Sequence, residues 1–141
     1  MILKGLKLDF FRNYVHLETD FDPRVNLIYG ENAQGKTNLL EAIAYLSTAR
    51  SHRARYDREM ILLGVDEAFV KAEVASRSRD FTLEARLSRG KSRQLWSNGV
   101  RLKTAGELSP PKAVTEREKR RKIWTLIKSK FIPNSLSFRI C

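Results

Sequence analysis

Apolar and polar residues alternate from the first positions of the chain. Leu6, Leu8 and Phe10 are separated by Lys7 and Asp9, which predicts a first β-strand. Val15, Leu17, Thr19 and Phe21 alternate with His16, Glu18 and Asp20 and predict a second, with Phe11-Arg12-Asn13-Tyr14 as the connection. Asp22-Pro23-Arg24 reads as another turn, and residues 25–29 as a short buried strand. The period then changes: between residues 38 and 46, Leu39, Ile43 and Leu46 fall on one helical face. Residues 59–63 fit a short helix. Period two returns in residues 69–76, with Val70, Ala72 and Val74 on one face, and again in Phe81, Leu83, Ala85 and Leu87. Residues 94–97 and 100–102 flank Asn98-Gly99, a favoured two-residue hairpin turn because both positions tolerate positive φ. The pattern is one strand–helix unit joined to an antiparallel meander, without internal repeats. Pro110-Pro111 marks a break. Residues 114–130 then fit a helix, with Ile123, Ile127 and Phe131 spaced at four, and residues 135–141 have no clear assignment.

The junction of strand and helix carries chemistry. Gly30, Glu31, Asn32, Ala33, Gln34, Gly35, Lys36 and Thr37 match G-x-x-x-x-G-K-[ST], the phosphate-binding P-loop, at every fixed position. Gly30 and Gly35 allow backbone angles that let a loop wrap a phosphate. The loop N–H groups and the positive end of the following helix then face the same anion. Lys36 reaches β- and γ-phosphates in such a loop, and the Thr37 hydroxyl ligates the bridging Mg²⁺. A chance match on a glycine turn is the bland alternative; both flanking elements argue against it.

Charge changes the picture less than its total suggests. The 141 residues carry a formal +11, but residues 110–141 hold nine Lys/Arg and two Asp/Glu, or +7. The first 109 residues therefore carry only +4, and an argument for polyanion binding from total charge concerns the tail. No stretch reaches the apolar length of a membrane span, and residues 1–11 alternate like a strand rather than a signal-peptide core. The single cysteine, Cys141, permits no internal disulfide, so a cytoplasmic location is the expectation.

The two leading strands, Phe11-Arg12-Asn13-Tyr14, the P-loop and Thr37-Asn38-Leu39-Leu40-Glu41-Ala42 together resemble the start of the RecF family. The resemblance covers about residues 1–109. It implies an α/β P-loop NTPase, lobe I of an ABC- and SMC-like ATPase head. It also implies ATP and Mg²⁺ as ligands, an ATP-dependent homodimer and DNA binding at gaps or single-strand/double-strand junctions. Loading of RecA, with RecO and RecR as partners, in replication, recombinational repair and the SOS response is part of the same implication. Arg12 and Asn13 match a turn near the nucleotide in such heads, so they and Asn38 are candidate secondary contacts; for Arg12 a solvated turn residue is the equal alternative.

After Ser109 the resemblance ends, and residues 110–141 read as a divergent basic tail, helical or without structure. A frameshifted or otherwise altered end is the expectation from that abrupt loss. The later part of the family's head carries the signature, the Walker B acids and the switch residues. Leu63-Gly64-Val65-Asp66-Glu67 is the nearest approach to a Walker B strand, and Gly64 breaks it. Catalytic residues are accordingly not assigned, and no useful ATP turnover is expected from this chain alone. Without a second lobe, some of Leu6, Leu8, Phe10, Val70 and Val74 are expected to be uncovered, with poor solubility as the result.

Other features have two readings each. Arg50, Arg53, Arg55 and Arg58, with His52, follow the P-loop helix and are candidate DNA contacts, or else a solvated loop interrupted by Asp57 and Glu59. Trp96 and Phe81 could stack on bases, but their strand positions favour core packing. His16 and His52 lack a metal-ligand partner at useful spacing. The run Lys119-Arg120-Arg121-Lys122 could bind nucleic acid without specificity or simply be a charged face. A non-catalytic basic nucleic-acid binder with a vestigial P-loop is therefore the competing class. A small P-loop kinase would need an acceptor pocket and an acidic catalytic residue that the sequence does not display.

Overall fold

The computed structural model describes residues 2–30, 35–76 and 79–105. Among them are six strands and one long helix: β1 (Ile2–Phe11), β2 (Tyr14–Asp20), α1 (Lys36–Thr48), β3 (Glu67–Ala75), β4 (Phe81–Ser88), β5 (Gln94–Ser97) and β6 (Val100–Arg101). A 3₁₀ turn, Asp57–Met60, lies between α1 and β3, where the pattern predicted a short helix slightly later. The strands form a single antiparallel sheet in the order β2-β1-β3-β4-β5-β6. Helix α1 packs on β1, β3 and β4, near the middle of the sheet.

Alternation explains the core. Leu6 and Leu8 of β1, Val70, Ala72 and Val74 of β3, and Leu83, Ala85 and Leu87 of β4 are buried together against Leu39, Ala42, Tyr45 and Leu46 of α1. Burying a leucine-sized side chain contributes about 1.5–3 kcal/mol, so this shared face supplies most of the driving force. Of the five residues among which some were expected to be uncovered, Leu6, Leu8, Val70 and Val74 are covered, because α1 of the same chain lies over them, and only Phe10 is exposed. The hairpin turn at Asn98-Gly99 has φ of 50° and 76°, and the Asn98 side chain accepts a hydrogen bond from the Thr82 N–H at 2.8 Å.

Several expectations need correction. Phe10 is 38 % exposed, while Phe11 is fully buried. Phe10 adopts φ 55°, which shifts the alternation by one residue. The end of β1 leaves β3 at this point and pairs with residues 60–62, through Leu62 N–H to the Phe10 carbonyl and Arg12 N–H to the Met60 carbonyl. Val15 is likewise exposed on the edge strand β2, where Tyr14 and Leu17 take the core positions. Residues 25–29 do not form a strand: Val25 is 64 % and Leu27 56 % exposed. No described strand pairs with them, and an apolar run without a neighbour to take its backbone groups cannot become a strand. Trp96 also departs from core packing. Leu95 takes the buried position of β5, and the half-buried Trp96 lies opposite Glu84 and Arg101. Phe81 packs partly buried against the core.

The helix expected over residues 114–130, the run at 119–122, Cys141 and the whole basic tail lie outside the described residues.

Candidate nucleotide site

Helix α1 begins inside the glycine fingerprint. Gly35 is its N-cap, at φ 97° and ψ 3°, a left-handed conformation that side chains resist. There is a second reason for glycine. A Cβ here would stand 2.8–2.9 Å from the Asn13 amide atoms and the Tyr14 hydroxyl. The β1–β2 turn therefore presses directly on the end of the loop, and the Tyr14 hydroxyl donates to the Gly35 carbonyl at 3.1 Å. Lys36 opens the first turn of α1, and its Nζ donates back to the carbonyl of Gly30, the first glycine of the motif. Thr37 follows on the exposed side of that turn. Four of the eight motif residues, Glu31, Asn32, Ala33 and Gln34, lie outside the described residues.

Beside this loop stands a charged network. Glu41 of α1 is a fully buried charged residue. Arg12 grips both of its carboxylate oxygens, Nε to Oε2 at 2.9 Å and Nη2 to Oε1 at 2.8 Å. The third guanidinium nitrogen of Arg12 donates to the Glu59 carbonyl at 2.6 Å. The Ser51 hydroxyl also donates to Glu41, and Arg53 Nη1 approaches it at 3.3 Å. Burial pushes the Glu41 carboxyl up, but hydrogen bonds from Arg12 and Ser51 and the charges of Arg12 and Arg53 outweigh it and hold its pKa below the ordinary value. Asn38, two residues beyond Lys36, accepts from Arg53 at 2.8 Å and donates to Asn13 at 2.8 Å.

The structure thus brings Arg12, Asn13, Asn38 and Arg53 to the start of α1, beside the described part of the loop. Arg12 is not a solvated turn residue: its three nitrogens meet protein acceptors. Arg50, Arg55 and Arg58 remain exposed on the connection after α1. The Arg55 and Arg58 guanidinium groups lie 5.6 and 4.7 Å from the centre of the Tyr56 ring. Glu41, Ser51 and Tyr14 were given no site role in the sequence; Tyr14 and Glu41 stood only within the segments that carry the resemblance. The available signal was a single acid inside the apolar run of the helix, and nothing local says which arginine would meet it.

His16 pairs with Asp9 across the β1–β2 hairpin. Among the described residues, no group of three or more His, Cys, Asp or Glu could hold a metal ion, and no helix is long and apolar enough to cross a membrane. Gly64, at φ 87°, turns the chain before β3, so residues 63–67 are not a Walker B strand; Glu67 opens β3 and takes Arg86.

A glycine loop capping a helix on this sheet agrees with comparisons to known proteins. The family model described as AAA domain matches residues 6–138. The chain belongs to the AAA domain family. DNA replication and repair protein RecF of Lachnospira eligens is 42 % identical over 108 residues, 77 % of this chain and 30 % of that protein. RecF of Oenococcus oeni is 51 % identical over 89 residues, 63 % of this chain and 24 % of that protein. The chain thus spans about a third or less of the length of the curated relatives it matches. A solved structure of the recombination mediator protein RecF with ATP, from the RecFOR pathway, superposes with a TM-score of 0.73 at 34 % identity, covering 86 % of this chain and 36 % of that one. A structure from a study of ATP-driven dimerisation and DNA-stimulated activation of SMC ATPases superposes with a TM-score of 0.70 at 20 % identity, covering 87 % of this chain and 91 % of that one. This AAA-family P-loop chain therefore has the SMC- and RecF-like head fold and is a RecF homologue over its first three-quarters.

Proposed function

We propose that this chain binds Mg·ATP through residues 30–37, as the phosphate-binding lobe of a RecF-like ATPase head acting in DNA replication and repair. The observation that carries the reading is the complete fingerprint set at the N-terminus of α1, in a chain homologous to RecF. The donor set fits a triphosphate. Backbone N–H groups at the helix start face an anion, Lys36 supplies a cation within reach of the loop, and the Thr37 hydroxyl suits Mg²⁺. Bound Mg·ATP would supply the phosphoryl group and the charge that joins two heads into a dimer. The 141 residues offer a phosphate cradle, a lysine and one metal ligand, and no second acid in a Walker B context. Phosphoryl transfer needs a group that orients the attacking water, so this chain by itself binds without useful turnover.

The test is calorimetry of Mg·ATP with the wild-type chain and Lys36→Ala. Saturable binding lost in the variant supports the reading; equal binding, or a Lys36-dependent hydrolysis rate from the pure chain, defeats one part of it.

DNA at gaps or junctions is the proposed macromolecular ligand, held by phosphate contacts from Arg50, Arg53, Arg55 and Arg58. The same reading extends to RecR and RecO as partners, to RecA loading, to the SOS response and to a cytoplasmic site of action. DNA affinity stimulated by ATP and lost in Lys36→Ala supports it. Affinity that ignores ATP, falls steeply with salt and vanishes on deletion of residues 110–141 favours the basic-binder alternative.

A further inference from the structure

We infer that Glu41 is a positioning residue for the phosphate loop, acting through Arg12; this rests on the nucleotide reading above. The path is short and made of direct contacts. Glu41 lies on α1, five residues after Lys36, with its carboxylate fully buried. Both carboxylate oxygens are taken by Arg12, whose third nitrogen holds the Glu59 carbonyl. Arg12 sits in the two-residue turn between β1 and β2 at φ 54°, a conformation that needs support from its surroundings. The next two residues, Asn13 of that turn and Tyr14 at the start of β2, touch the loop end: Asn13 packs on Gly35, and Tyr14 donates to the Gly35 carbonyl. Glu41 therefore fastens the turn to the same helix whose first residues form the anion site. The loop end is clamped between its own helix and a hairpin whose Arg12 stands 29 positions from Glu41 in sequence.

Two alternatives are weaker. A buried ion pair kept only for stability is a poor use of three donors, since an apolar pair of similar shape is often as stable. A direct role for Arg12 on the nucleotide would use only the two N–H groups left after its three bonds to protein oxygens, so those bonds still set where the turn lies. The geometry instead suits preorganisation: Gly35 and the first turn of α1 are held in place before the ligand arrives, so less ordering is lost on binding.

The experiment compares wild type, Glu41→Gln, Arg12→Gln and the double variant, all as the full chain. The double variant leaves no orphaned charge between these two partners, so it folds where a single variant fails. Two readouts are taken: Mg·ATP affinity by calorimetry, below each variant's melting transition, and amide hydrogen exchange. The expected result is affinity reduced about tenfold in each single variant, with the double variant no worse than either, as in a coupled pair. Exchange should quicken more at residues 35–38 than in β3 and β4, where it follows only the change in global stability. Unchanged affinity with unchanged exchange at 35–38 overturns the inference. So does exchange that quickens no more at 35–38 than in the sheet, or unfolding of the double variant as well as the singles, since either makes Glu41 a stability residue only. If the wild type and Lys36→Ala both fail to bind Mg·ATP, the nucleotide reading falls, and with it the role for Glu41 in binding. The exchange pattern then shows separately whether Glu41 holds the turn to the loop.

Discussion

At Glu41, burial and charge oppose each other, and the arginines win. Desolvation alone would raise the carboxyl pKa; the Arg12 and Ser51 hydrogen bonds and the Arg12 and Arg53 charges lower it below 4.5. A depressed carboxyl pKa gives stability that is present above the unfolded value and lost as pH falls through the folded one. Urea unfolding at a series of pH values should therefore show wild type more stable than Glu41→Gln near neutrality, with the gap closing below about pH 4.5. A gap that widens in acid would reverse the assigned sign. Gly35 makes the second residue-scale case. An alanine there meets both an unfavourable φ, at about 1–2 kcal/mol, and a collision with Asn13 and Tyr14. Gly35→Ala should lose more than about 2 kcal/mol by urea unfolding, the backbone cost plus some repacking, and lose Mg·ATP binding. The glycine itself was readable from the motif. Its contact with Asn13 was not, because that contact comes from a turn 22 residues earlier in the chain.

Elements whose pattern is purely local were legible. Strands β3 and β4 follow strict alternation, α1 follows the helical period, and Asn98-Gly99 forms the hairpin its chemistry demands. Gly99 has open space around it, so Gly99→Ala should cost only the left-handed backbone strain, about 1–2 kcal/mol. That loss, read from urea midpoints, should be clearly smaller than for Gly35→Ala, and equal losses would remove the steric part of the argument at Gly35. Elements whose identity depends on a neighbour were misread. Residues 25–29 have a strand's composition but lack a paired strand among the described residues. Phe10 has a core residue's character, but β1 changes partner beside it and turns it outward, giving its place to Phe11.

For the molecule as a whole, α1 covers one face of the sheet, and several apolar side chains are exposed elsewhere, the neighbouring Val25 and Leu27 among them. Such surface promotes association when it is contiguous. Val25→Thr with Leu27→Gln should raise the concentration at which the chain stays monodisperse in light scattering, while unfolding changes by less than about 0.5 kcal/mol, as for exposed positions. A large loss of stability would mean that these side chains are packed after all. The sequence by itself determined the phosphate-loop fingerprint, the helix that follows it, the meander and the family resemblance. These rest on neighbouring residues, whose spacing sets backbone angles and faces without reference to distant parts of the chain. Only the tertiary structure decided which residue of the Phe10-Phe11 pair is buried, that residues 25–29 form no strand, and that Glu41 meets Arg12. Those outcomes depend on which distant segments arrive at the same place: burying a carboxylate is tolerable only where a guanidinium already waits, and periodicity along a chain carries no record of that meeting.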